Sequence, residues 1–212
     1  MGAVLTAAET LPRLRALARP RPPAVAPFHS RSALKTIPTA IGGCHRFQLE
    51  RLRDDRGHFV AVFDREVIRA IDPGFEVHRI NRSFSSRRGT IRGVHFQRPP
   101  MDEDKLVQCL RGTIFDVCVD LRPHSRSYLR WVGAELSAEN EELILVPRGC
   151  GHAFQTLSED CVVEYVVTRS YSPSHEGGVR WDDPAIAIEW PLPCTMTSPR
   201  DATWPLLERA RP

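Results

Sequence analysis

Side chains suited to proton transfer occur along the C-terminal two-thirds of this chain. His95, Lys105, His152 and Tyr165 each stand within or beside a short apolar run. Buried polar groups cost free energy unless they have partners, so several of them on neighbouring strands indicate a site. A histidine has an unperturbed pKa of about 6.5 and can act as a base. Taken singly, each residue is more often structural, but together they predict acid–base chemistry, with lysine as an oxyanion stabiliser and tyrosine as an acid.

The spacing around His95 argues against a metal centre. Residues 89–112 begin with Gly-x5-His and residues 147–152 read Pro-x-Gly-x-x-His, which resemble the paired signatures of cupins. Metal-binding cupins carry His-x-His in the first signature, because alternate residues of a strand face the same side and reach one ion. Here the second position is Gln97, a poor ligand for transition metals. The chain also has no CxxC motif among its six cysteines. We therefore expect no metal and no other cofactor.

The elements that must position these side chains are short strands. Apolar runs separated by turn residues are the predicted strands, and they cover residues 90–96, 106–110, 113–121, 130–136, 142–146 and 161–168. Their even spacing and the lack of a long helical period predict an antiparallel sandwich or barrel. One or two helical turns are expected near residues 67–71. With the cupin signatures, the predicted fold is all-β, a double-stranded β-helix or jelly roll with a few short helices.

Length and composition limit the remaining possibilities. The 212 residues allow one sizeable domain. Residues 1–33 are rich in arginine and proline, and we expect a disordered or leader extension there, followed by a jelly-roll domain over residues 34–212. The 29 basic and 26 acidic residues give a net charge of +3, too balanced to indicate nucleic-acid binding. No apolar run reaches the roughly 18 residues of a membrane span, and cysteines within apolar runs fit a reducing, cytoplasmic location.

A series of short motifs covers the chain from Leu34 onwards. They lie at residues 54–57 (DDRG), 81–83 (NRS), 91–97 (IRGVHFQ), 105–107 (KLV), 115–120 (FDVCVD), 131–133 (WVG), 136–140 (LSAEN), 147–154 (PRGCGHAF) and 178–184 (GVRWDDP). In this order they resemble the dTDP-4-dehydrorhamnose 3,5-epimerase family. The resemblance implies a metal-independent isomerase that inverts C3, C5 or both in a nucleotide-activated 4-keto-6-deoxyhexose, during synthesis of a rhamnose-like deoxysugar.

The resemblance also implies a role for each residue at a matching position. His95 falls on the catalytic base, and Asp201 falls on the carboxylate that orients and polarises it. Tyr165 matches the general acid on the other side of the sugar, and Lys105 matches the lysine beside the ketone oxygen. Tyr171 matches the aromatic residue that stacks on the nucleotide base. The implied substrate-binding residues are Arg56, Arg79, Asn81, Arg92, His152, Tyr171, Glu176 and Arg200.

Several features depart from the family pattern or conflict with it. Ala61 replaces a glutamate that contacts the nucleotide, residues 79–80 (RI) replace a glutamine-aspartate pair, and residues 103–104 (ED) replace small, neutral residues. The nucleotide pocket is therefore expected to be more positive than in the family. Arg92 and His95 are three apart, so an ideal strand would point them to opposite faces. A bulge at Gly93 would bring both to one side.

Two other functions are compatible with the same residues. A sugar-nucleotide 3,4-ketoisomerase on a related cupin would also use a histidine base but would not invert C5. A non-catalytic cupin that binds a sugar nucleotide would need no acid–base pair. The resemblance further implies a homodimer in which an N-terminal strand, residues 35–40, crosses to the other subunit. Such pairing would cover an open sheet edge.

Overall fold

The computed structural model describes residues 34–207, so the predicted leader and residues 208–212 lie outside the described part. Within it the chain is built of strands with two short helices. The strands are β1 (Leu34–Pro38), β2 (His45–Leu49), β3 (Leu52–Asp54), β4 (Gly57–Phe59), β5 (Arg79–Ser85), β6 (Ile91–Gln97), β7 (Lys105–Arg111), β8 (Thr113–Asp120), β9 (Trp131–Ser137), β10 (Glu142–Val146), β11 (Cys150–Thr156), β12 (Cys161–Val167) and β13 (Glu176–Gly178), and the helices are α1 (Arg65–Ile71) and α2 (Pro199–Thr203).

Two antiparallel sheets form the body of the fold. One has six strands in the order β1-β2-β10-β7-β12-β5, and the other has five in the order β13-β6-β11-β8-β9. β3 and β4 pair only with each other. Apolar side chains from both sheets, such as Val107 and Val163 from the first and Ile114 and Phe154 from the second, share one buried cluster. The jelly-roll prediction is confirmed, and each predicted strand overlaps an observed one, with β10 matching at both ends.

The alternation of side chains along a strand decides which polar residues enter the space between the sheets. Val163 faces the shared core, so Tyr165, two residues later, faces the same way. On the neighbouring β7, Val107 also faces the shared core, so Lys105, two residues earlier, points the same way. On the opposite sheet, Phe154 of β11 lies in that core and His152 is two residues earlier. Each of these polar residues therefore continues an inward-facing apolar row.

A β-bulge in β6 allows Arg92 and His95 to face the same side. His95 is opposite His152 of β11, but Arg92 is opposite Phe154, so three steps on β6 match two on β11. Gly93 lies in this irregular stretch with a φ of 126°, which favours glycine. The bulge expected at Gly93 is confirmed, and it removes the conflict between the two side chains.

Helix α1 covers the other face of the six-stranded sheet. Its N-cap is Asp64, whose carboxylate accepts hydrogen bonds from the backbone N–H groups of Glu66 and Val67. Its buried Ile68 packs in a second cluster with Leu106 and Leu143, which face outward from β7 and β10. The helix expected near residues 67–71 is thus present. No helix within residues 34–207 is long and apolar enough to cross a membrane.

We expect Gly93→Ala to destabilise the protein and to disturb the bulge. A Cβ at this position would stand 2.4 Å from Ala153 Cβ and 2.7 Å from the His152 carbonyl oxygen, in a backbone conformation that alanine rarely adopts. Overpacking and strain of this kind cost about 3 kcal/mol in the free energy of unfolding. Urea unfolding measures the loss, and exposed Gly42→Ala, with no atom within 4 Å of its Cβ, is the control. Equal stability of both variants would contradict this explanation.

Candidate active site

Two adjoining cavities open between the sheets, and the polar inward-facing residues line them. The first cavity has a volume of about 380 Å³ and the second about 450 Å³. Both have His95, Lys105, Tyr165 and Glu176 in their walls. Asp201 lines the first cavity. The structure therefore gathers all four predicted catalytic residues at one place.

His95 and Asp201 form a hydrogen-bonded pair. The His95 Nε2 to Asp201 Oδ1 distance is 2.6 Å, and the side chains are 34% and 5% exposed, respectively. Asp201 lies on α2, whose N-cap Ser198 accepts a hydrogen bond from the Asp201 N–H at 3.0 Å. A carboxylate bound at Nε2 keeps the proton on that nitrogen. Nδ1 is then the nitrogen with a free lone pair, which gives the ring the form of a base.

Three donors hold the Asp201 carboxylate in its ionised form. Burial alone would raise its pKa, but the bond from His95 is the largest opposing effect, and the net pKa is lowered. The backbone N–H of Gly93 lies 3.4 Å from Oδ2. The Trp204 indole donates to Oδ1 at 3.3 Å, and its ring meets His95 edge-on with centroids 6.4 Å apart. Trp204 therefore supports both members of the pair.

Lys105 and Tyr165 face His95 from the opposite sheet. They lie on neighbouring strands of the six-stranded sheet, whereas His95 lies on the five-stranded sheet. Burial raises the pKa of the Tyr165 phenol, and the negative charge of Glu103 raises it further. The Lys105 ammonium is 3.5 Å from Glu103 Oε1. A proton acceptor thus stands on one side of the cavities, with a protonated phenol and a cation on the other.

A second histidine–carboxylate pair lies beside the first. His152, directly opposite His95 in the β6–β11 pairing, has its Nε2 2.8 Å from Asp116 Oδ2. The side chains are 8% and 0% exposed. His152 lines the first cavity, as predicted for a substrate-binding residue. Asp116 keeps its ring in a fixed orientation.

Most predicted substrate-binding residues line the two cavities. Arg92 is in the first cavity, held by bonds to Ser85 Oγ at 3.0 Å and the Phe84 carbonyl at 2.8 Å. Glu176 Oε2 accepts a hydrogen bond from the Tyr171 hydroxyl at 2.5 Å and also pairs with Arg200. This bridge joins a wall of the first cavity to a wall of the second. The predicted residues that line the second cavity are Arg79, Asn81, Tyr171 and Glu176.

Arg56 is the exception, because the structure places it outside both cavities. Its side chain is 90% exposed on the β3–β4 hairpin and forms a 2.5 Å ion pair with Asp54. That hairpin pairs with no other strand of the described chain, and its His58 lies 3.3 Å from Glu141 Oε1. The role of Arg56 in substrate binding therefore stays a prediction.

Gln97 joins the loops around the second cavity. Its side-chain amide donates to the carbonyls of Met101 at 3.0 Å and Ser170 at 3.1 Å, and its oxygen accepts from the Ser172 N–H at 2.6 Å. These bonds fix the segments that carry Glu103 and Tyr171. Among residues 34–207, no three His, Cys, Asp or Glu side chains are grouped closely enough to hold a metal ion.

Three residues of the site were missed by sequence reasoning. Asp116 gave a readable signal, because an acidic residue inside an apolar strand needs a buried partner. Trp204 follows Asp201 by three residues, a helical spacing that could have suggested contact. Glu103 was noted only as a departure from the family pattern. Asp116 contacts a residue 36 positions away, whereas Glu103 and Trp204 contact residues within six positions. The pattern alone did not assign their roles, because these contacts depend on how the strands pair and the loops fold.

Asp201→Asn should remove a pH-dependent part of the stability. The pKa of Asp201 is below its usual value in the folded protein, so its contribution is complete above about pH 4 and is lost as the pH falls through the folded-state pKa. The variant should lose about 2 kcal/mol at neutral pH and less in acid. Urea unfolding at both pH values measures this, with exposed Asp55→Asn as the control. A deficit that stays constant with pH would rule out this linkage.

Comparison with known proteins gives one consistent result. A curated dTDP-4-dehydrorhamnose 3,5-epimerase of Sinorhizobium fredii is 45% identical over 73% of this chain and 80% of its own length. Its counterpart from Methanothermobacter thermautotrophicus is 40% identical over 81% of this chain and 94% of its own. The crystal structure of the dTDP-4-dehydrorhamnose 3,5-epimerase of Bacillus anthracis, with TDP and PPi bound, is 38% identical, covering 82% of this chain and 100% of that one, with a TM-score of 0.78.

The family model for dTDP-4-dehydrorhamnose 3,5-epimerase matches residues 38–209. This range contains every predicted catalytic and substrate-binding residue. The matched region, the jelly roll and the His95–Asp201 pair agree, and the chain belongs to the dTDP-4-dehydrorhamnose 3,5-epimerase family.

Proposed function

We propose that this protein is an epimerase that inverts C3, C5 or both of a dTDP-linked 4-keto-6-deoxyhexose, without a metal, in deoxysugar synthesis. One observation carries the proposal. The His95–Asp201 pair and the Tyr165–Lys105 pair face the same cavities from opposite sheets. A flat ring held between the sheets would therefore have a base at one face and an acid at the other.

The reaction follows from this arrangement. A ketone at C4 acidifies the hydrogens on C3 and C5, and His95 Nδ1 takes one of them as a proton. The electron pair moves into an enolate whose O4 charge is stabilised by the Lys105 ammonium. Tyr165 then gives a proton to the same carbon from the other face, which inverts it. The Asp201 carboxylate stabilises the imidazolium that forms in the first step.

The nucleotide part is recognised by cations and an aromatic ring. Guanidinium groups bind phosphate oxygens in pairs. This role is supported by Arg92 and Arg200, which line the first cavity, and by Arg79, which lines the second. Tyr171 offers a ring for base stacking. The TDP and PPi in the Bacillus anthracis relative support a nucleoside diphosphate as the ligand class. The exchange of a family glutamate for Ala61 and the gain of Arg79 favour the same anion.

The two alternative functions fit the site less well. A binding protein needs no proton acceptor and proton donor on opposite walls of one site, because binding alone transfers no proton. A 3,4-ketoisomerase would move the carbonyl, and it would use His95 without requiring a proton donor on the opposite sheet. Tyr165 on the far side of the cavities therefore favours epimerisation.

In D₂O the wild-type protein should exchange the C3 or C5 hydrogens of a dTDP-4-keto-6-deoxyhexose for deuterium, as followed by proton NMR. His95→Asn should reduce this exchange at least ~10²-fold, because it removes the base. Tyr165→Phe should preserve exchange at the first carbon attacked while the yield of inverted product falls.

Tyr128→Phe is the matched control, since Tyr128 is 43% exposed and lies outside both cavities. It should exchange and invert as the wild type does. No exchange by the wild type with any such substrate would exclude the proposed reaction. A product with its carbonyl at C3 and solvent deuterium at C4 would identify the ketoisomerase.

The predicted homodimer remains part of the proposal, as does the cytoplasmic location. The outer surface near β5 carries exposed apolar side chains, with Val77 49%, Ile80 59% and Phe84 53% exposed. Within residues 34–207, β1 is the outermost strand at one end of the six-stranded sheet and pairs with β2 of its own chain. Both features favour association with a second copy.

Light scattering coupled to size exclusion should give twice the chain mass for the wild type. Replacing Ile80 and Phe84 by aspartate should shift the mass towards one chain, because each buried carboxylate would lack a partner. Tyr128→Asp, a charge added at an exposed loop, should leave the mass unchanged. A monomeric wild type would refute the dimer.

A further inference from the structure

Glu103 is an acidic residue in the wall of the second cavity that the family resemblance does not account for. It lies in the connection between β6 and β7, two residues before Lys105, and its side chain is 11% exposed. Oε1 lies 3.5 Å from Lys105 Nζ. Oε2 accepts a hydrogen bond from Gln97 Nε2 at 3.2 Å. Both oxygens are thus held by groups of the site.

We propose that Glu103 is a positioning residue for the reaction: its carboxylate fixes the Lys105 ammonium in the cavity wall and places a negative charge beside Tyr165. This inference rests on the proposed function, since Lys105 and Tyr165 are assigned by it. Glu103 itself takes no proton from the substrate.

Lys105 is a largely buried cation that needs a partner. Its side chain is only 12% exposed, and a buried ammonium is costly without a partner. Within residues 34–207, Glu103 supplies the one carboxylate at ion-pair distance from Lys105 Nζ. A lysine side chain is a flexible chain of four carbons. An ion-pair partner is therefore needed to hold Nζ where the enolate charge develops. Glu103, itself fixed by Gln97, is that partner.

The negative charge of Glu103 depends in turn on Lys105 and Gln97. Burial raises the pKa of this carboxyl, and the Lys105 ammonium and the hydrogen bond from Gln97 oppose that rise. The carboxylate therefore depends on Lys105 as much as Lys105 depends on it. Gln97, where a metal-binding cupin has a histidine, serves here as the donor that orients the acid.

Glu103 shares the second cavity with Tyr165 and affects its ionisation. Burial raises its pKa, the charge of Glu103 raises it further, and Arg92 opposes both. A tyrosine that returns a proton must be protonated during turnover, so a nearby carboxylate extends its working range towards alkaline pH. The titratable and charged groups that share its cavities are Arg79, Arg82, Arg92, His95, Glu103, Lys105, His152, Tyr171, Glu176, Arg200 and Asp201.

The kinetic test is Glu103→Gln, which keeps the size of the side chain and an oxygen for Gln97 but removes the charge. We expect kcat to fall about tenfold with KM changed less than about twofold, because Lys105 is misplaced for the charged intermediate. The alkaline limb of the kcat profile should move to lower pH, since Tyr165 loses the charge that opposes its ionisation. Glu142→Gln is the control, because Glu142 is 14% exposed, pairs with Arg46 and lies outside both cavities.

A spectroscopic test needs no substrate, so it separates this inference from the proposed function. The chain has three tyrosines, and in a Tyr128→Phe/Tyr171→Phe background only Tyr165 titrates. Tyrosinate absorbance should give a midpoint about 0.5 pH unit lower after Glu103→Gln. If Glu103→Gln does not fold, Glu103→Asp keeps the charge, and it should preserve the midpoint while lowering kcat. An unchanged midpoint in Glu103→Gln, or an unchanged kcat in either variant, would overturn the proposal.

Discussion

The space between the two sheets holds one continuous layer of side chains, apolar over most of its extent and polar where the cavities open. Its continuity follows from the alternation of residues along each strand. Tyr165 continues the inward row of Val163, and Lys105 continues that of Val107. The strand pairing that buries the valines therefore also fixes where Lys105 and Tyr165 lie along their strands and which way their side chains point. A change in that pairing would alter the core and the site together.

Because the sheets face each other, the site has two chemically different walls. The five-stranded sheet contributes the histidines, and each is paired with a buried carboxylate, Asp201 or Asp116. The six-stranded sheet contributes a lysine and a tyrosine. The negative charge of Glu103 acts on both of them. The groups proposed to accept and to donate a proton are thus on opposite sides of the layer. A sugar ring placed between them would be approached from both faces, as inversion requires.

The bond between His95 and Asp201 joins segments 106 residues apart. It connects the barrel to α2, near the end of the described chain, and Trp204 and Gly93 add further contacts to the same carboxylate. The bulge at Gly93 serves the same group, because it turns His95 and Arg92 to one side and points a backbone N–H at Asp201. The Asp201 carboxylate therefore accepts hydrogen bonds both from the backbone of the bulge and from the side chains of the site.

The sequence by itself determined the strands, the jelly roll and the family, because these depend on local periodicity and on motifs that run in order. It also named His95, Lys105, Tyr165 and Asp201, through residue type and matching position. Only the tertiary structure placed Arg56 away from the cavities, resolved the Arg92–His95 conflict, and joined Glu103 to Lys105 and Trp204 to Asp201. Strand pairing sets the position of the first two, and the folding of the loop before β7 and of the segment after α2 sets the two local contacts. A one-residue bulge is enough to reverse the direction of a side chain.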